Sequence, residues 1–243
     1  MILERLRERA QAFTQDVSRE GYLAYSGHKH EAALQAIYAR YEELFSDETL
    51  SGCIDRFRSS PVGSEEARAA RMMLEWQLES RIGHELAGLD EREVSLENEA
   101  VVRLADGRVV PYQRAAIEIA NSSDAAERDA IDVARARIVA EKFAPLRVER
   151  LQREMDVVDR LGIASGYNAT FETVSGISLS KLAGECEKFL RDTEAMWSSV
   201  LAERLRAFGI SSGEATRADS LALFRLSQFD DAFPESAMES VVR

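Results

Sequence analysis

The chain contains three histidines, His28, His30 and His84, and their spacing decides whether hydrolytic metal chemistry is encoded here. A helical zinc site sets two His four residues apart on one face with a Glu beside the bound water, the HExxH pattern. His84-Glu85-Leu86-Ala87-Gly88 opens that pattern and then places Gly where the second His must stand. His30-Glu31-Ala32-Ala33-Leu34 fails at the same position with Leu. His28 and His30 are two apart and so point to different sides of a helix, and no His stands three residues after a Glu, which removes the Glu-x-x-His di-iron arrangement as well. The histidines are expected as caps or surface rings. Cys53 and Cys186 form no CxxC or related ligand spacing and are expected as buried free thiols. No G-x-S-x-G elbow, G-x-G-x-x-G turn or P-loop occurs. The sequence therefore offers no catalytic, cofactor-binding or metal-ligating residue. Glu91, Glu93, Glu97 and Glu99 could gather charge on one surface, which is expected to be a solvated helix face. Tyr22, Tyr25, Tyr38 and Tyr41 recur at three- to four-residue steps within their segments and are expected in core or interface packing.

The elements that carry these residues are almost all helical. Leu3, Leu6, Ala10, Phe13 and Val17 mark one face of a first helix that ends at the Ser26-Gly27 break. Ala33, Ile37 and Tyr41, with Leu34, Tyr38 and Phe45, mark a second that runs to Ser46, where Asp47 can cap a shorter helix through Phe57. Ser64, with Glu65 and Glu66 in the first turn where the macrodipole favours acids, starts a long helix through Met72, Met73, Trp76 and Ile82 that can continue past Gly88 to Glu99. Ala100-Val101-Val102-Arg103-Leu104 and Arg108-Val109-Val110-Pro111-Tyr112, around Ala105-Asp106-Gly107, predict a small β-hairpin near residues 100–112. Pro111 bars its second strand from a sheet centre.

Beyond the hairpin the helical period resumes from Tyr112, and Asn121-Ser122-Ser123 offers a cap for the next segment, which Pro145 interrupts or restarts. A stripe from Leu146 to Leu161 stops at Gly162, and a short helix spans Ala169 to Val174, stopped by Gly176. Ser178 caps a long helix whose face carries Leu182, Cys186, Phe189, Leu190, Met196, Trp197, Val200, Leu201 and Leu205. A helix over about Glu214 to Leu226 follows, and Pro234 suits the first turn of a last one running to Arg243. Trp76 and Trp197 lie on apolar stripes that fit either a core or a docking face. The expected fold class is all-α, a multi-helix bundle-like body with one small hairpin, forming a single helical region over 1–243.

Charge narrows the partners. With 31 Lys+Arg against 43 Asp+Glu the net charge is −12, which opposes counterion-releasing contact with nucleic acid and with anionic membrane surfaces. No stretch approaches the 18 or so uninterrupted apolar residues of a membrane span, and the charged N-terminus lacks a signal-peptide core. A cytoplasmic protein with no nucleic-acid or membrane partner is expected.

Two stretches resemble a known family. Asp159-Arg160-Leu161-Gly162-Ile163-Ala164-Ser165-Gly166-Tyr167-Asn168, followed by Phe171, Ser175-Gly176-Ile177 and Leu182, resembles a segment in the helical body of zinc metallopeptidases related to oligoendopeptidase F and thimet oligopeptidase. Arg217-Ala218-Asp219 through Leu223-Phe224-Arg225, then Phe229-Asp230-Asp231-Ala232-Phe233-Pro234, resembles the segment that precedes the catalytic half in an oligoendopeptidase-like branch. The stretch from Ile37 to Phe45, Val110-Pro111-Tyr112, Ile119-Ala120-Asn121 and Glu127-Arg128 fit the N-terminal helical half of the same family.

The resemblance implies a mostly helical protein with a substrate channel between two helical halves, and a zinc held by the two His of HExxH and a Glu on a later helix. None of those ligand positions exists in this chain, so no catalytic or metal residue is carried over and zinc is expected only in the full-length family. The implied function is the N-terminal channel-wall portion of an oligoendopeptidase-like peptidase, inactive alone. Its implied partners are the missing C-terminal catalytic half, or a chain that supplies it, and a peptide substrate. That expectation includes an exposed apolar face where the other half docks. The alternative is a stand-alone helical interaction or scaffold protein with a closed core.

Overall fold

The computed structural model describes residues 2–237 and is all-α apart from one two-stranded hairpin. The chain divides into two compact units, Met1–Asn98 with Glu141–Lys188, and Glu99–Ala140 with Phe189–Arg243.

The first unit begins with α1 (Ile2–Tyr25), α2 (Leu34–Arg40) and a 3-10 turn at Glu42–Phe45. Ser46, not Asp47, caps α3 (Asp47–Ser59): its hydroxyl accepts from the Thr49 amide at 3.2 Å, and Asp47 takes the first helical position. Ser64 caps α4 (Glu65–Glu99) by accepting from the Ala67 amide, and α4 runs unbroken through Gly88 for 35 residues. Its Leu74, Leu78 and Leu86 are fully buried among Leu50 and Cys53 of α3, Leu146, Val157 and Val158 of α7 (Ala144–Leu161), and Val174 of α8 (Tyr167–Ser175). Each leucine buried this way stabilises the fold by about 1.5–3 kcal/mol. A second cluster gathers Phe13, Ile37, Tyr38, Tyr41, Leu44, Phe45 and Ala87, with Phe13 at the centre of an edge-on aromatic group. The approach of α2 to α4 is close enough that a Cβ on Gly83 would stand 2.1 Å from the Tyr38 hydroxyl. A larger residue there would force the Tyr38 side chain to move.

The second unit opens with the hairpin, β1 (Val101–Arg103) antiparallel to β2 (Val109–Pro111), with Val102 opposite Val110. Gly107, at φ +89, and the Arg108 amide bonded to Asp106 close its turn. Pro111 costs no internal ladder bond because both strands are edges. The hairpin leads directly into α5 (Tyr112–Asn121), which packs with α6 (Ala125–Ile138) and α10 (Arg217–Arg225). The cap of α6 is Asp124, whose carboxylate accepts from the Ala126 amide, rather than any of Asn121, Ser122 and Ser123. Between α6 and α7 lies a π-turn, Val139–Phe143. Pro145 in the first turn of α7 has no N–H and crowds the carbonyl of Glu141, and the widened turn accommodates both defects.

Gly162 at φ +62 ends α7 and Gly176 at φ +70 ends α8, which starts two residues earlier than the apolar pattern suggests. α9 spans Leu179–Ala207, and the boundary between the two units falls inside it. α10 starts at Arg217 because Thr216 and Asp219 form a reciprocal capping box. Two 3-10 turns, Ser227–Ala232 and Glu235–Ala237, occupy the stretch after α10. The remainder of the last helix expected from Pro234 to Arg243 lies outside the described residues.

Candidate interaction surface

α9 forms readily because it is rich in Leu, Ala, Glu, Lys and Arg and holds no Pro. Within it Leu182, Phe189 and Met196 stand seven apart, and Cys186, Thr193 and Val200 form the alternating seven-residue row. That is the seam of a helix made to pack lengthwise against another. In the second unit the seam is open to solvent: Phe189, Leu190 and Met196 are each about 64–65% exposed, and Trp197 and Val200 are over 40% exposed. Leu179, Leu182 and Cys186, at the start of the same stripe, are exposed as well. Leu205 is the buried residue of α9 among those described. Trp197 stacks on Phe224 of α10 at 5.6 Å and 15°, and Phe224 and Leu221 continue the apolar surface. Contiguous exposed aromatic and aliphatic groups of this kind mark a surface that another molecule or segment covers.

The second unit is tied by a buried ion pair that sequence reasoning did not anticipate. Arg128 donates to Asp219 Oδ1 from Nε at 3.0 Å and Nη2 at 2.5 Å, and its Nη1 donates to the Ser122 carbonyl. Asp219 Oδ2 accepts from the Thr216 amide at 2.8 Å. Burial alone would push the Asp219 carboxyl up, but the Thr216 amide and the Arg128 guanidinium outweigh it and hold the group below the ordinary carboxylate value. The two residues stand 91 positions apart. The capping pattern of Thr216 and Asp219 is legible in sequence, whereas the Arg partner is not.

The residues with chemical potential are dispersed. His28 accepts or donates to Ser26 Oγ at 2.7 Å beside the Tyr22 ring, and His84 stacks on Phe45 at 5.4 Å. Cys53 is buried as expected, and burial pushes its thiol pKa up; Cys186 is exposed on α9, against the expectation of a buried thiol. The α4 carboxylates are not simply a solvated face either: Glu91 accepts from the Gln35 amide at 2.8 Å, and Glu93 pairs with Arg147 at 2.7 Å. These bonds fasten α4 to α2 and α7. Tyr38 and Tyr41 are core residues, whereas Tyr22 and Tyr25 are exposed.

A second polar group in the first unit surrounds Arg150, which donates to Asp90 at 2.7 Å and Glu154 at 2.8 Å, while the Tyr167 hydroxyl donates to Glu154 at 2.7 Å. Burial raises the Asp90 carboxyl despite Arg150, and burial with the Glu154 hydrogen bond pushes Tyr167 up to about 12. Each member is engaged by its neighbours, which is the pattern of a structural network. Among the described residues no group of three or more His, Cys, Asp or Glu is placed to hold a metal ion. Those residues offer no ligand set that fits the zinc implied by the family resemblance. Among the same residues no helix is long and apolar enough to cross a membrane.

No family model, curated protein or solved structure matches the chain. The most extended apolar surface of its second unit among the described residues runs along α9.

Proposed function

We propose that this chain is a non-catalytic helical wall of an oligoendopeptidase-like zinc metallopeptidase. In this role its helices shape the path of a peptide, and the metal-bearing helices belong to polypeptide beyond the sequence described here. The observation that carries the reading is the exposed apolar seam of α9, Phe189, Met196, Trp197 and Val200, with Leu221 and Phe224 of α10. A wall that works against a second helical half must present an apolar, lengthwise packing surface, and α9 has the heptad spacing for one. The family likeness of the segments around Gly162 and Phe229 supplies the class of reaction, peptide hydrolysis, and the zinc.

The test is to read the DNA downstream of the Arg243 codon in all frames and to produce any joined polypeptide. The expected result is a frame encoding HExxH and a later helical Glu, whose joined product binds zinc and cleaves a quenched fluorescent peptide while this chain alone does not. Absence of such a frame overturns the reading. The second reading is a stand-alone helical scaffold, favoured by the two closed apolar clusters of the first unit. It requires this chain by itself to capture a protein partner through α9.

A further inference from the structure

The first unit contains a cavity of about 520 Å³ between α1, α3 and α4, well apart in chain position from the α9 seam. Its apolar wall is Ala69, Ala70, Met72, Met73 and Trp76, successive turns of one side of α4. The volume lies within the range of small-molecule sites, which are largely apolar with a few placed polar groups. Three charged residues edge it: Arg7, Arg56 and Glu66. Arg56 and Glu66 are ion-paired with each other. Among the described residues Arg7 has no ion-pair partner. The cavity therefore carries one uncompensated guanidinium, a net positive edge on a chain whose overall charge is −12.

We infer that this cavity binds a small monocarboxylate with an apolar tail, the tail lying along Met72, Met73 and Trp76 and the carboxylate meeting Arg7. A guanidinium offers paired N–H donors that match both oxygens of a carboxylate, which an ammonium or hydroxyl does not. The two methionines give an adaptable wall that can follow a linear or branched tail. Trp76 is also held from behind, its ring edge-on to Phe13 at 6.1 Å, so the wall is fixed to the aromatic cluster of the first unit. The apolar acid could be a free medium-chain acid or the C-terminus of a peptide ending in an aliphatic residue. Both present the same groups to the cavity.

Trp76 makes the site its own reporter. In a Trp197→Phe background, which removes the other tryptophan, the intrinsic fluorescence is titrated with decanoate below its micelle concentration, with decanol, and with N-acetyl-Ala-Leu as free acid and as amide. A saturable change with decanoate at least tenfold tighter than with decanol is expected. Arg7→Gln should remove that tenfold preference while leaving the circular dichroism spectrum unchanged, because Arg7 is exposed. Ala69→Trp is avoided as a second tryptophan; Ala69→Leu, which fills the wall, should weaken decanoate by a similar factor. The peptide pair identifies the source: saturable binding of the free acid but not the amide assigns the peptide terminus, and decanoate alone assigns the free acid. The inference is overturned if decanoate produces no saturable change, or if acid and alcohol bind equally, or if Arg7→Gln and Ala69→Leu leave decanoate affinity as it was.

Discussion

α4 and α9 are both long helices, of 35 and 29 residues, built from similar residue types, yet they end in opposite environments. α4 buries Leu74, Leu78, Ile82, Leu86, Leu89 and Val94, and its apolar residues wind around it so that it is covered on more than one side. α9 gathers Leu182, Phe189, Met196 and Val200 into one seam and leaves them in solvent. A helix covered on several sides is a core element, and a helix with a clean uncovered seam has a vacancy for a neighbour. Near its C-terminal end α9 contributes Leu205 to burial, and the second unit relies on α5, α6 and α10 with the Arg128–Asp219 pair.

Breaking that pair should give the largest effect. Arg128→Leu leaves Asp219 buried without its cation and should cost about 3–5 kcal/mol in urea unfolding; a cost under about 1 kcal/mol would show that the second unit does not depend on it. The pH dependence has a definite sign. Because the folded carboxyl of Asp219 is held low, its contribution is full above the unfolded value of about 3.9 and is lost as pH falls through the lower folded value. The stability difference between the natural chain and Asp219→Asn should therefore narrow in acid below about pH 4. A difference constant from pH 7 to pH 2 would remove the carboxylate from the account.

Leu78→Ala tests the covered helix. Leu78 has no solvent exposure, and its truncation should lower stability by about 2–5 kcal/mol, depending on how far the cavity collapses. Trp197→Ala lies between the extremes, since the ring is 47% exposed but stacked on Phe224. A loss of about 1 kcal/mol is expected, within the range of an aromatic pair, and a loss as large as that of Leu78→Ala would mean that the α9 surface is covered in solution. Leu190→Ala should be the mildest, within about 0.5 kcal/mol, because 65% of the residue is exposed. If Leu190→Ala and Leu78→Ala cost the same, the contrast between the two helices collapses.

Local signals were legible where the physics is local. The hairpin around Asp106-Gly107, the stops at Gly162 and Gly176, and the Ser64 start of α4 each follow from a few neighbouring residues, and the structure has them. Caps were misplaced by one to three positions, as with Ser46 and Asp124, because adjacent Ser, Asn and Asp residues compete for one role and only the backbone angle chooses between them. The π-turn before Pro145 was not legible in detail, since a proline in a helical run can stop it, kink it or widen it.

The apolar seam of α9 was visible in the sequence as spacing, but spacing alone did not show whether another segment covers it. Periodicity records which residues share a side of a helix, whereas coverage depends on which other segment reaches that side. By itself the sequence determined the all-α class, the hairpin, and the lack of any complete metal or nucleophile motif, because these rest on residue type and short-range geometry. Only the tertiary structure decided that Arg128 meets Asp219 across 91 positions, that Arg7 edges an apolar cavity, and that the α9 seam is largely exposed among the described residues. Burial and pairing are relations between distant segments, and no local pattern encodes them.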